Sequence, residues 1–477
     1  MSLSLAHIVA ESGVNFGTSG ARGLVSQLSD AVCYAYTQAF LTAVAPAARE
    51  VVIGHDLRPS SPAMAAACAQ ALRDGGRSVR FVGALPTPAI AHYALSSGCP
   101  AIIITGSHIP FDRNGIKFYR ADGEISKDDE QAMLASPVSP PAGLTPAPLP
   151  TADPAAATAY VRRYTDFFPA GMLQGRCIAV YEHSSVARDL LRQILEALGA
   201  TVLPLGRTDT FVPIDTEAVR PEDIAQAEHW ASQHRFDALL STDGDADRPL
   251  IGDEAGQWLR GDIVGILCAQ ALRADLVVTP VSSNTAVERC GAFRQVLRTR
   301  IGSPYVIAGM EALRRATPDA AIAGYEANGG FLLGSAVQRG AARLTPLPTR
   351  DAVLPMLALL ALAVEKGCPV SQLATALPPR YTASDRLQQF AVEKSRALLA
   401  SLAADPAAAA ALLAPDAGAV SAWDQTDGLR LSFADGAIVH LRPSGNAPEL
   451  RCYAEADTAS RAAALCAAAL ERVSRSA

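Results

Sequence analysis

The sequence predicts an α/β fold: three similar α/β units with mixed, mostly parallel sheets, followed by a smaller C-terminal α+β unit. Over most of the chain, short apolar runs of strand length alternate with segments of helical periodicity, which is the order typical of parallel sheets. The last ~100 residues differ, because a helical stretch there precedes two hairpin-like runs and a closing helix. A length of 477 residues suits three or four domains of roughly 100–150 residues each.

We place the four units at residues 1–150, 151–255, 256–375 and 376–477. The first boundary follows residues 137–154, which are rich in Pro, Ala and Thr, as linkers are. The last boundary lies beside the Pro378-Pro379 pair, where the pattern of elements changes.

Apolar runs and periodicity place the elements in chain order. The predicted strands are residues 51–54, 101–105, 177–180, 238–240, 276–278, 320–323, 429–433 and 438–441. The predicted helices are residues 60–72, 187–198, 354–364 and 403–413, with a closing helix from about Thr458. The helix at 60–72 has Ser60 or Ser61 as its N-cap and Pro62 just inside its first turn. Residues 354–364 form too short an apolar run to span a bilayer, so we expect a core helix.

Composition indicates a soluble cytoplasmic protein. Apolar residues make up 49% of the chain, and the net charge of −6 disfavours nucleic acid or an anionic membrane as the main partner. The nine cysteines are scattered without a C-x-x-C pair, a pattern that favours buried thiols in a reducing compartment over disulfides or zinc. No signal peptide is visible at the N-terminus. The sequence does not indicate an oligomeric state.

Four polar clusters each follow a predicted strand. They lie at residues 106–108, 243–248, 325–330 and 442–446. Ligand sites of open α/β sheets lie at the carboxyl ends of strands. We therefore expect the four units to face one central cleft.

The cluster at 243–248 has the sequence DGDADR, which places Asp243, Asp245 and Asp247 at alternate positions after an apolar run. Carboxylates at this spacing can converge on one hard cation, Mg²⁺ or Ca²⁺. An EF-hand is disfavoured, because residues 249–251 (PLI) predict a strand where a calcium loop would continue. Taken alone, a solvated acidic turn is the commoner outcome, but a magnesium site serving a phosphate is the sharper hypothesis.

Ser107 follows a glycine at a strand end, where a hydroxyl can be exposed and reactive. Most serines in such positions are simple turn residues, and the surrounding sequence is not the G-x-S-x-G of a hydrolase. Downstream, Asn114 and Gly115 predict a turn before Lys117, which enters a strand. A lysine there is usually solvated, but near a phosphate it can act as a charge clamp or proton shuttle.

Two further loops have the composition of anion sites. Arg442, Ser444, Gly445 and Asn446 combine a guanidinium, a hydroxyl and an amide with a flexible backbone, and residues 17–23 (GTSGARG) form a second such loop. Each of these segments taken alone is more often an ordinary turn. Glu326 and Asn328, set beside two glycines, can hydrogen-bond to sugar hydroxyls; the alternative is an exposed turn.

Five motifs in order resemble those of the α-D-phosphohexomutase superfamily, and the resemblance covers essentially the whole chain. These motifs are FGTSGARG at 16–23, TGSHIP at 105–110 with NGIK at 114–117, DGDADR at 243–248, EANG at 326–329 and RPSGNAP at 442–448. Any one of them can arise by chance, but five in the family's order are specific. The resemblance implies three similar α/β domains and a smaller C-terminal domain around a central cleft.

The resemblance also implies roles for these residues. Ser107 carries a phosphoryl group, and together with Asp243, Asp245 and Asp247 it ligates one Mg²⁺ ion. Around the transferring phosphate the implied catalytic residues are Arg22, His108, Lys117 and Arg248, with Lys117 as a general acid or base. The implied substrate-binding residues are Glu326 and Asn328 for sugar hydroxyls and Arg442, Ser444, Gly445 and Asn446 for the other phosphate.

The implied reaction moves phosphate between O1 and O6 of an aldohexose through a bisphosphorylated sugar, with a hexose 1,6-bisphosphate as activator. Three positions depart from the family's common pattern: Ile109 replaces asparagine, Asn446 replaces threonine and Gly330 replaces a histidine. We expect Gly330 to leave space near the sugar ring. Mannose phosphate is the favoured substrate, with glucose phosphate and glucosamine phosphate as alternatives. A metal-dependent phosphatase and a catalytically silent sugar-phosphate-binding protein are the rival functions.

Overall fold

The computed structural model describes residues 3–444 and 449–476. Its first unit contains a seven-stranded sheet in the order β2-β3-β7-β6-β4-β5, with β8 paired to β7, and a separate β1-β9 pair. Its elements are β1 (Leu3–Ser4), α1 (Leu5–Ser12), β2 (Asn15–Phe16), β3 (Ala21–Leu24), α2 (Asp30–Ala43), β4 (Glu50–His55), α3 (Ser61–Asp74), β5 (Ser78–Ala84), α4 (Thr87–Ser96), β6 (Ala101–Ile104), β7 (Arg113–Arg120), β8 (Gly123–Glu124), α5 (Lys127–Ala135) and β9 (Pro137–Val138).

The second unit is a four-stranded sheet in the order β11-β10-β12-β13. Its elements are α6 (Ala155–Thr165), β10 (Cys177–Tyr181), α7 (Arg188–Ala197), β11 (Thr201–Leu205), α8 (Pro221–Gln233), β12 (Ala238–Thr242) and β13 (Pro249–Gly252).

The third unit is a five-stranded sheet in the order β15-β14-β16-β17-β20, with a separate β18-β19 hairpin. Its elements are α9 (Gly261–Ala271), β14 (Leu276–Pro280), α10 (Ala286–Arg289), β15 (Gln295–Thr299), α11 (Ser303–Ala316), β16 (Ile322–Tyr325), β17 (Phe331–Leu333), β18 (Val337–Arg339), β19 (Ala342–Leu344), β20 (Leu347–Asp351), α12 (Val353–Lys366) and a 3₁₀ helix at Val370–Ala376.

The fourth unit is an antiparallel five-stranded sheet in the order β21-β25-β24-β23-β22. Its elements are β21 (Tyr381–Leu387), α13 (Val392–Ala404), α14 (Pro406–Leu413), a 3₁₀ turn at Pro415–Ala417, β22 (Val420–Asp424), β23 (Leu429–Phe433), β24 (Ile438–Pro443), β25 (Leu450–Ala456) and α15 (Ala459–Ser476). This all-antiparallel sheet with flanking helices is the α+β unit that the sequence predicts.

The sheets of the first three units are mixed, as predicted, and each contains a parallel trio of strands. The trios are β5-β4-β6, β11-β10-β12 and β15-β14-β16. Antiparallel strands extend each trio on one side, and in the first unit these additions (β7, β3 and β2) make antiparallel pairs the more numerous. The parallel strands therefore form a shared motif, and each unit adds its own antiparallel edge.

Two local predictions are wrong. Asn114 and Gly115 form no turn, because they lie inside β7, which pairs with both β3 and β6. The glycine is needed there for another reason: a Cβ at position 115 would lie 2.4 Å from the Ala21 carbonyl oxygen. The helix expected at 403–413 is instead two helices, α13 and α14. Pro406 cannot continue α13, and the Asp405 side chain caps α14 by accepting hydrogen bonds from Ala407 N and Ala408 N.

One apolar cluster extends across the first three units, whereas the fourth unit has a cluster of its own. One large cluster joins buried residues such as Val52, Leu240 and Leu357 from three different units. The cluster of the fourth unit is built only from residues of that unit, for example Leu431, Leu450 and Leu470. Because the fourth unit has its own core, we expect its position to depend on polar contacts more than on shared apolar packing.

The predicted core helix is confirmed, since α12 is buried along most of its length. Within the described parts of the chain, no single helix is both long and apolar enough to cross a membrane; two sharply bent helix pairs meet the criterion by length and composition only. All nine cysteines are described as free thiols, of which five are buried and four are partly buried.

Candidate active site

Ser107 lies immediately beyond β6 in a strained backbone conformation. Its φ of 51° falls in the left-handed region, which a residue with a Cβ seldom adopts. The side chain is only 3% exposed, and its Oγ donates a hydrogen bond of 2.6 Å to Asp243 Oδ2. Its backbone N–H donates to Thr105 Oγ1 at 2.8 Å. The loop therefore directs the Ser107 hydroxyl at the acidic cluster, which lies 136 positions away in the chain.

Arg58 holds the serine loop, residues 105–110, in place. The sequence analysis did not single out this arginine. Its guanidinium donates to the carbonyl oxygens of Ser107, Ile109, Pro110 and Arg113 at 2.5–2.9 Å. The guanidinium lies so close to the loop that a Cβ at position 106 would be 2.3 Å from Arg58 Cζ. Only a glycine fits between Thr105 and Ser107, which explains the Gly-Ser pair.

Two neighbours fix the Arg58 guanidinium. The Asp56 carboxylate lies 3.3 Å from Arg58 Nε and also accepts a hydrogen bond from Gly106 N at 3.1 Å. The ring of Phe211, from the second unit, lies 4.0 Å from the guanidinium carbon. The only sequence signal for Arg58 is its position just after a predicted strand at 51–54, where polar residues of α/β sheets often face a site.

Asp243, Asp245 and Asp247 converge as predicted. One oxygen from each lies within 4.8 Å of the others, and all three side chains are buried. Burial raises the pKa of the Asp243 carboxyl well above its usual range, and the charges of Asp245 and Asp247 raise it further. The Oδ1 atoms of Asp245 and Asp247 are buried without a hydrogen-bond donor among the described residues. Buried carboxylate oxygens that accept no hydrogen bond fit a hard divalent cation, so these residues suit a Mg²⁺ ion, and Arg248 Nε lies 3.6 Å from Asp247 Oδ1.

Lys117 enters this cluster from β7. Its ammonium lies 2.7 Å from Asp245 Oδ2 and 2.7 Å from Asp247 Oδ2 and is almost fully buried. Burial alone would raise the pKa of Asp245, but the Lys117 ammonium, the Thr87 hydroxyl and the charge of Arg22 together hold that pKa below its usual value. Thr87 also donates to Asp245 Oδ2 at 2.7 Å. Lys117 therefore lies at the metal loop, residues 243–248, where its ammonium compensates part of the negative charge of the aspartates.

His108, Arg248 and Arg22 lie around the loop that contains Ser107. Arg248 Nη1 lies 2.9 Å from His108 Nδ1, which in turn lies 3.4 Å from Ser107 Oγ. The positive charge of Arg248, followed by burial, lowers the pKa of His108 to about 3, so the imidazole is neutral at pH 7. The Arg22 guanidinium donates to the Thr105 carbonyl oxygen at the end of β6. The structure thus brings all five residues of the predicted catalytic set to one place.

Glu326 and Asn328, in the predicted sugar loop at residues 326–329, are buried, whereas an ordinary turn would expose them. Glu326 is 4% exposed and accepts a hydrogen bond of 3.0 Å from Arg350 Nη1. The Asn328 side-chain oxygen accepts from Gly330 N at 2.9 Å, and its backbone oxygen accepts from Thr216 Oγ1 at 2.7 Å. These bonds hold the loop in one conformation beside the metal loop.

Arg350, at the end of β20, connects the two loops and is the second residue that the sequence analysis missed. Besides Glu326, it contacts Asp247 Oδ2 through Nε at 3.1 Å and Nη2 at 2.7 Å. No motif marks it in the sequence. Its side chain also corrects an expectation: Gly330 leaves no free space, because a Cβ at 330 would lie 2.6 Å from Arg350 Cδ. The glycine accommodates the arginine.

The predicted phosphate loop is described only in part. Arg442, near the end of β24, has its Nε 2.8 Å from Asp427 Oδ2, which also accepts from Ile301 N at 3.0 Å. Ser444 is buried, and its N–H donates to the Glu449 carbonyl oxygen at 2.8 Å. Gly445 and Asn446 lie outside the described residues. The structure therefore places Arg442 at the boundary between the third and fourth units.

This geometry is suited to phosphoryl transfer. A buried hydroxyl lies against three carboxylates that can hold a divalent cation, and cationic side chains surround it. Phosphoryl transfer needs positioning and charge neutralisation more than covalent chemistry from the protein. The site therefore combines the groups that a phosphoryl-transfer enzyme requires.

Comparison with known proteins identifies the family. Models of the four phosphoglucomutase/phosphomannomutase domains match this chain: α/β/α domain I at residues 13–137, domain II at 159–256, domain III at 260–381 and the C-terminal domain at 387–472. The chain belongs to the phosphoglucomutase/phosphomannomutase family of the α-D-phosphohexomutase superfamily, whose members are isomerases.

Similar proteins include two phosphomannomutases and a phosphoglucosamine mutase. A phosphomannomutase from Salmonella muenchen is 49% identical, with 94% of each chain covered. A phosphomannomutase from Sinorhizobium fredii is 46% identical, covering 93% of this chain and 95% of its own. A phosphoglucosamine mutase from Frankia alni is 30% identical over 95% of this chain and 98% of its own.

Solved structures share the fold. A protein from Thermus thermophilus superimposes with a TM-score of 0.76 at 20% identity, covering 100% of this chain and 99% of its own. A phosphoglucomutase/phosphomannomutase family protein from Burkholderia thailandensis gives a TM-score of 0.73 at 21% identity, covering 96% of each chain. The four-unit architecture is therefore that of the phosphohexomutase fold.

Proposed function

We propose that this chain is a phosphomannomutase, which interconverts mannose 1-phosphate and mannose 6-phosphate. The observation that carries the proposal is the 49% and 46% identity to two phosphomannomutases over nearly the full chain. Identity to a phosphoglucosamine mutase is only 30% over a similar length, which favours mannose over glucosamine. The EANG string of the sugar loop, which resembles acetylglucosamine mutases, has less weight than similarity across the whole chain.

Ser107 is the phosphoryl carrier in the proposed mechanism. In the active form its Oγ bears a phosphoryl group, which passes to the free hydroxyl of the sugar phosphate and leaves the serine hydroxyl behind. The resulting bisphosphorylated sugar turns over in the cleft and returns its other phosphoryl group to Ser107 Oγ. Phosphate is conserved in the cycle, and the product is the positional isomer. The 2.6 Å hydrogen bond to Asp243 orients the hydroxyl for this return step.

The side chains around Ser107 have the other roles in the proposed mechanism: metal binding, phosphate binding and proton transfer. Asp243, Asp245, Asp247 and the Ser107 phosphate are the proposed Mg²⁺ ligands, and a bound ion would neutralise charge on the transferring group. Arg248 and Arg22 bind the transferring phosphate. His108, held neutral by Arg248, lines the pocket as a hydrogen-bonding group. Lys117 is the proposed general acid or base: its ammonium can donate a proton to the Ser107 oxygen as the phosphoryl group leaves, and the amine so formed can accept the proton of the sugar hydroxyl.

The third and fourth units bind the substrate. Glu326 and Asn328 hold the sugar hydroxyls, and Arg442, Ser444, Gly445 and Asn446 hold the phosphate that is not being transferred. Each loop then belongs to one of the four proposed domains, 1–150, 151–255, 256–375 and 376–477. A hexose 1,6-bisphosphate is the proposed activator, because it can phosphorylate Ser107 directly. With nine free thiols, the chain fits the cytoplasm.

One coupled assay tests the proposal. The enzyme is supplied with Mg²⁺, a hexose 1,6-bisphosphate and, in turn, the 1-phosphates of mannose, glucose, glucosamine and N-acetylglucosamine. We expect mannose 1-phosphate to give the highest kcat/KM and to yield mannose 6-phosphate without release of inorganic phosphate. Net phosphate release would indicate a phosphatase, and a preference for either amino sugar would contradict the substrate assignment.

A further inference from the structure

A cavity of about 380 Å³ lies between the third and fourth units, away from the loops described above. The third unit contributes Thr285, Arg289 and Arg298 to its lining, and the fourth contributes Ser421, Arg430 and Ser432. None of these residues belongs to the serine, metal, sugar or phosphate loops. Its volume falls at the lower end of the range for small-molecule sites.

Three arginines and one carboxylate, Glu288, line this cavity. Arg298 already uses that carboxylate: its Nε and Nη2 each lie 2.8 Å from a Glu288 oxygen. Arg298 Nη1 also donates to the carbonyl oxygens of Pro280 and Ser283 at 2.9 and 2.7 Å. Arg298 and Glu288 therefore form a closed structural pair, which neither adds to nor removes from the charge of the cavity.

The other two arginines have no directly bonded partner among the described residues. Across residues 3–444 and 449–476, the side chains of Arg289 and Arg430 form no hydrogen bond or ion pair. Arg289 Nη2 lies 3.9 Å from the position a Cβ of Gly436 would take, as does Arg380 Nη1. Burial, followed by the charge of Arg298, lowers the pKa of Arg430, and the carboxylates of Glu455, Glu288 and Asp424 offset only part of this lowering. With three guanidiniums and one carboxylate, the lining of the cavity has an excess of positive charge.

The strand pattern explains why Arg430 faces the cavity. In β23, Leu429, Leu431 and Phe433 point into the core of the fourth unit, so Arg430 and Ser432 point to the opposite face. That face meets the third unit through polar contacts, such as Asn284 Nδ2 with the Arg380 carbonyl oxygen at 2.8 Å and Thr285 N with Glu455 Oε2 at 3.1 Å. The cavity is therefore part of a polar boundary between two separately packed units.

We propose that this cavity binds a small anion with a phosphate group, held by Arg289 from the third unit and Arg430 from the fourth. Two guanidiniums bind phosphate oxygens through charge-assisted hydrogen bonds, and Ser432 lines the same space. The hydroxyls of Thr285 and Ser421 also lie in the lining, but they donate to Glu455 and to the Ser432 carbonyl oxygen. Because the two arginines come from different units, the anion links the fourth unit, which contains Arg442, to the third. The shared chemistry is the phosphate group, whether free, on a sugar or on a nucleotide.

Calorimetric titration with inorganic phosphate tests this site in the intact protein. The wild type is compared with Arg430→Gln, with Arg289→Gln and with Arg396→Gln, a control that removes one exposed charge from α13 in the fourth unit. The wild type and the three variants share the active-site cleft, so phosphate bound there contributes equally to all four titrations. A difference between them therefore reports phosphate bound in the cavity. We expect this component to weaken roughly tenfold or more in the Arg289 and Arg430 variants and to be unchanged in Arg396→Gln. Titrations with AMP and with mannose 6-phosphate show which source binds best.

Identical phosphate titrations for Arg430→Gln and Arg396→Gln would overturn the proposal. So would a crystal structure with phosphate whose density appears only in the cleft. Should Arg430→Gln fail to fold, Arg289→Gln decides the question, since Arg289 is exposed and its replacement leaves the core intact. The readout is binding, so its failure is distinct from a failure of the proposed mutase activity.

Discussion

Ser107 and Asp243 lie far apart in the chain, yet their side chains form the shortest link between the serine loop and the metal loop. Ser107 is in left-handed conformation and buried, so the backbone bears strain to present one hydroxyl. Glu326 shows the same dependence on distant partners, because the Arg350 guanidinium holds it beside Asp247. At the residue scale, the site consists of a few side chains whose orientation other side chains determine.

Replacing Ser107 with alanine should abolish mutase turnover, because no hydroxyl remains to accept the phosphoryl group. The fold should persist, since the change removes one oxygen and leaves the loop clamp of Arg58 intact. Intact-protein mass measurement should show a phosphate adduct on the wild type that Ser107→Ala lacks, while the surface variant Ser401→Ala keeps both adduct and activity. Near-normal turnover by Ser107→Ala would contradict the mechanism.

Glu326 should affect mannose and glucose phosphates alike. Its carboxylate and the Asn328 amide can reach hydroxyls that both sugars share, and strong rejection of an epimer requires a buried group that the wrong substrate leaves unpaired. We expect kcat/KM values for the two 1-phosphates within ~100-fold of each other. Glu326→Ala should lower both about equally, whereas Glu311→Ala, on the surface of α11, should lower neither. Loss of only one activity would show that another residue recognises C2.

At the scale of elements, the site is assembled where strands end and loops begin. β6 leads into the serine loop, β12 into the metal loop and β16 into the sugar loop. Each of these strands belongs to the parallel trio of its unit, so the trios direct their carboxyl ends toward the site. Arg58, in the connection between β4 and α3, and Arg350, at the end of β20, then lock the loops to one another.

Arg58→Lys should slow catalysis while leaving the charge in place. A lysine ammonium cannot reach four carbonyl oxygens at once, so the serine loop should lose its fixed position. Misplacement of a reacting group by about 1 Å can lower the rate by about 100-fold, so we expect a reduction in kcat of roughly 10- to 100-fold with a smaller change in KM. Arg77→Lys is the matched control, because Arg77 also donates to two carbonyls but far from the loop. Equal kcat values for the two variants would exclude the clamp.

The metal loop should require a divalent cation. Three buried carboxylates repel one another, and the Lys117 ammonium compensates only part of their charge. Chelation should stop turnover and Mg²⁺ should restore it. Because a ligand that binds only the folded state stabilises it, added Mg²⁺ should also raise the Tm, an effect that Asp245→Asn should remove and Asp319→Asn should not. Full activity in thoroughly chelated enzyme would refute the assignment of these carboxylates.

At the scale of the whole molecule, three units share a core and the fourth is attached to them through polar contacts. The fourth unit contains Arg442, and Asp427 ties that arginine to the third unit through Ile301 N. An attachment of this kind can change without disrupting a core, because polar contacts re-form more readily than buried apolar packing. The position of Arg442, which is proposed to bind the phosphate that is not transferred, therefore depends on how the fourth unit is placed against the third.

Arg442→Ala should lower kcat/KM by about 100- to 1000-fold, because a guanidinium–phosphate pair contributes roughly 2–4 kcal/mol to transition-state stabilisation. The Mg²⁺ requirement should not change, since Arg442 is in a different unit from the metal loop. Arg396→Ala, in the same unit but exposed, should retain wild-type efficiency. An unaltered kcat/KM in Arg442→Ala would remove the fourth unit from the active site.

The sequence by itself determined the α/β class, the polar clusters at strand ends and the acidic spacing at 243–247. These features depend on local periodicity and on residues that are close in the chain. It failed at Asn114-Gly115, where pairing of β7 with strands on both sides overrides a local turn preference, and at 403–413, where Pro406 ends a helix that alanines would continue.

Only the tertiary structure decided which side chains hold the site together. Arg58 and Arg350 belong to no motif, and their importance comes from partners 24 to 103 positions away. Gly330 likewise appeared to open space near the sugar, whereas Arg350 fills it. A sequence shows the chemical character of each residue, but close packing brings distant residues into contact, and that packing follows from the whole chain folding at once.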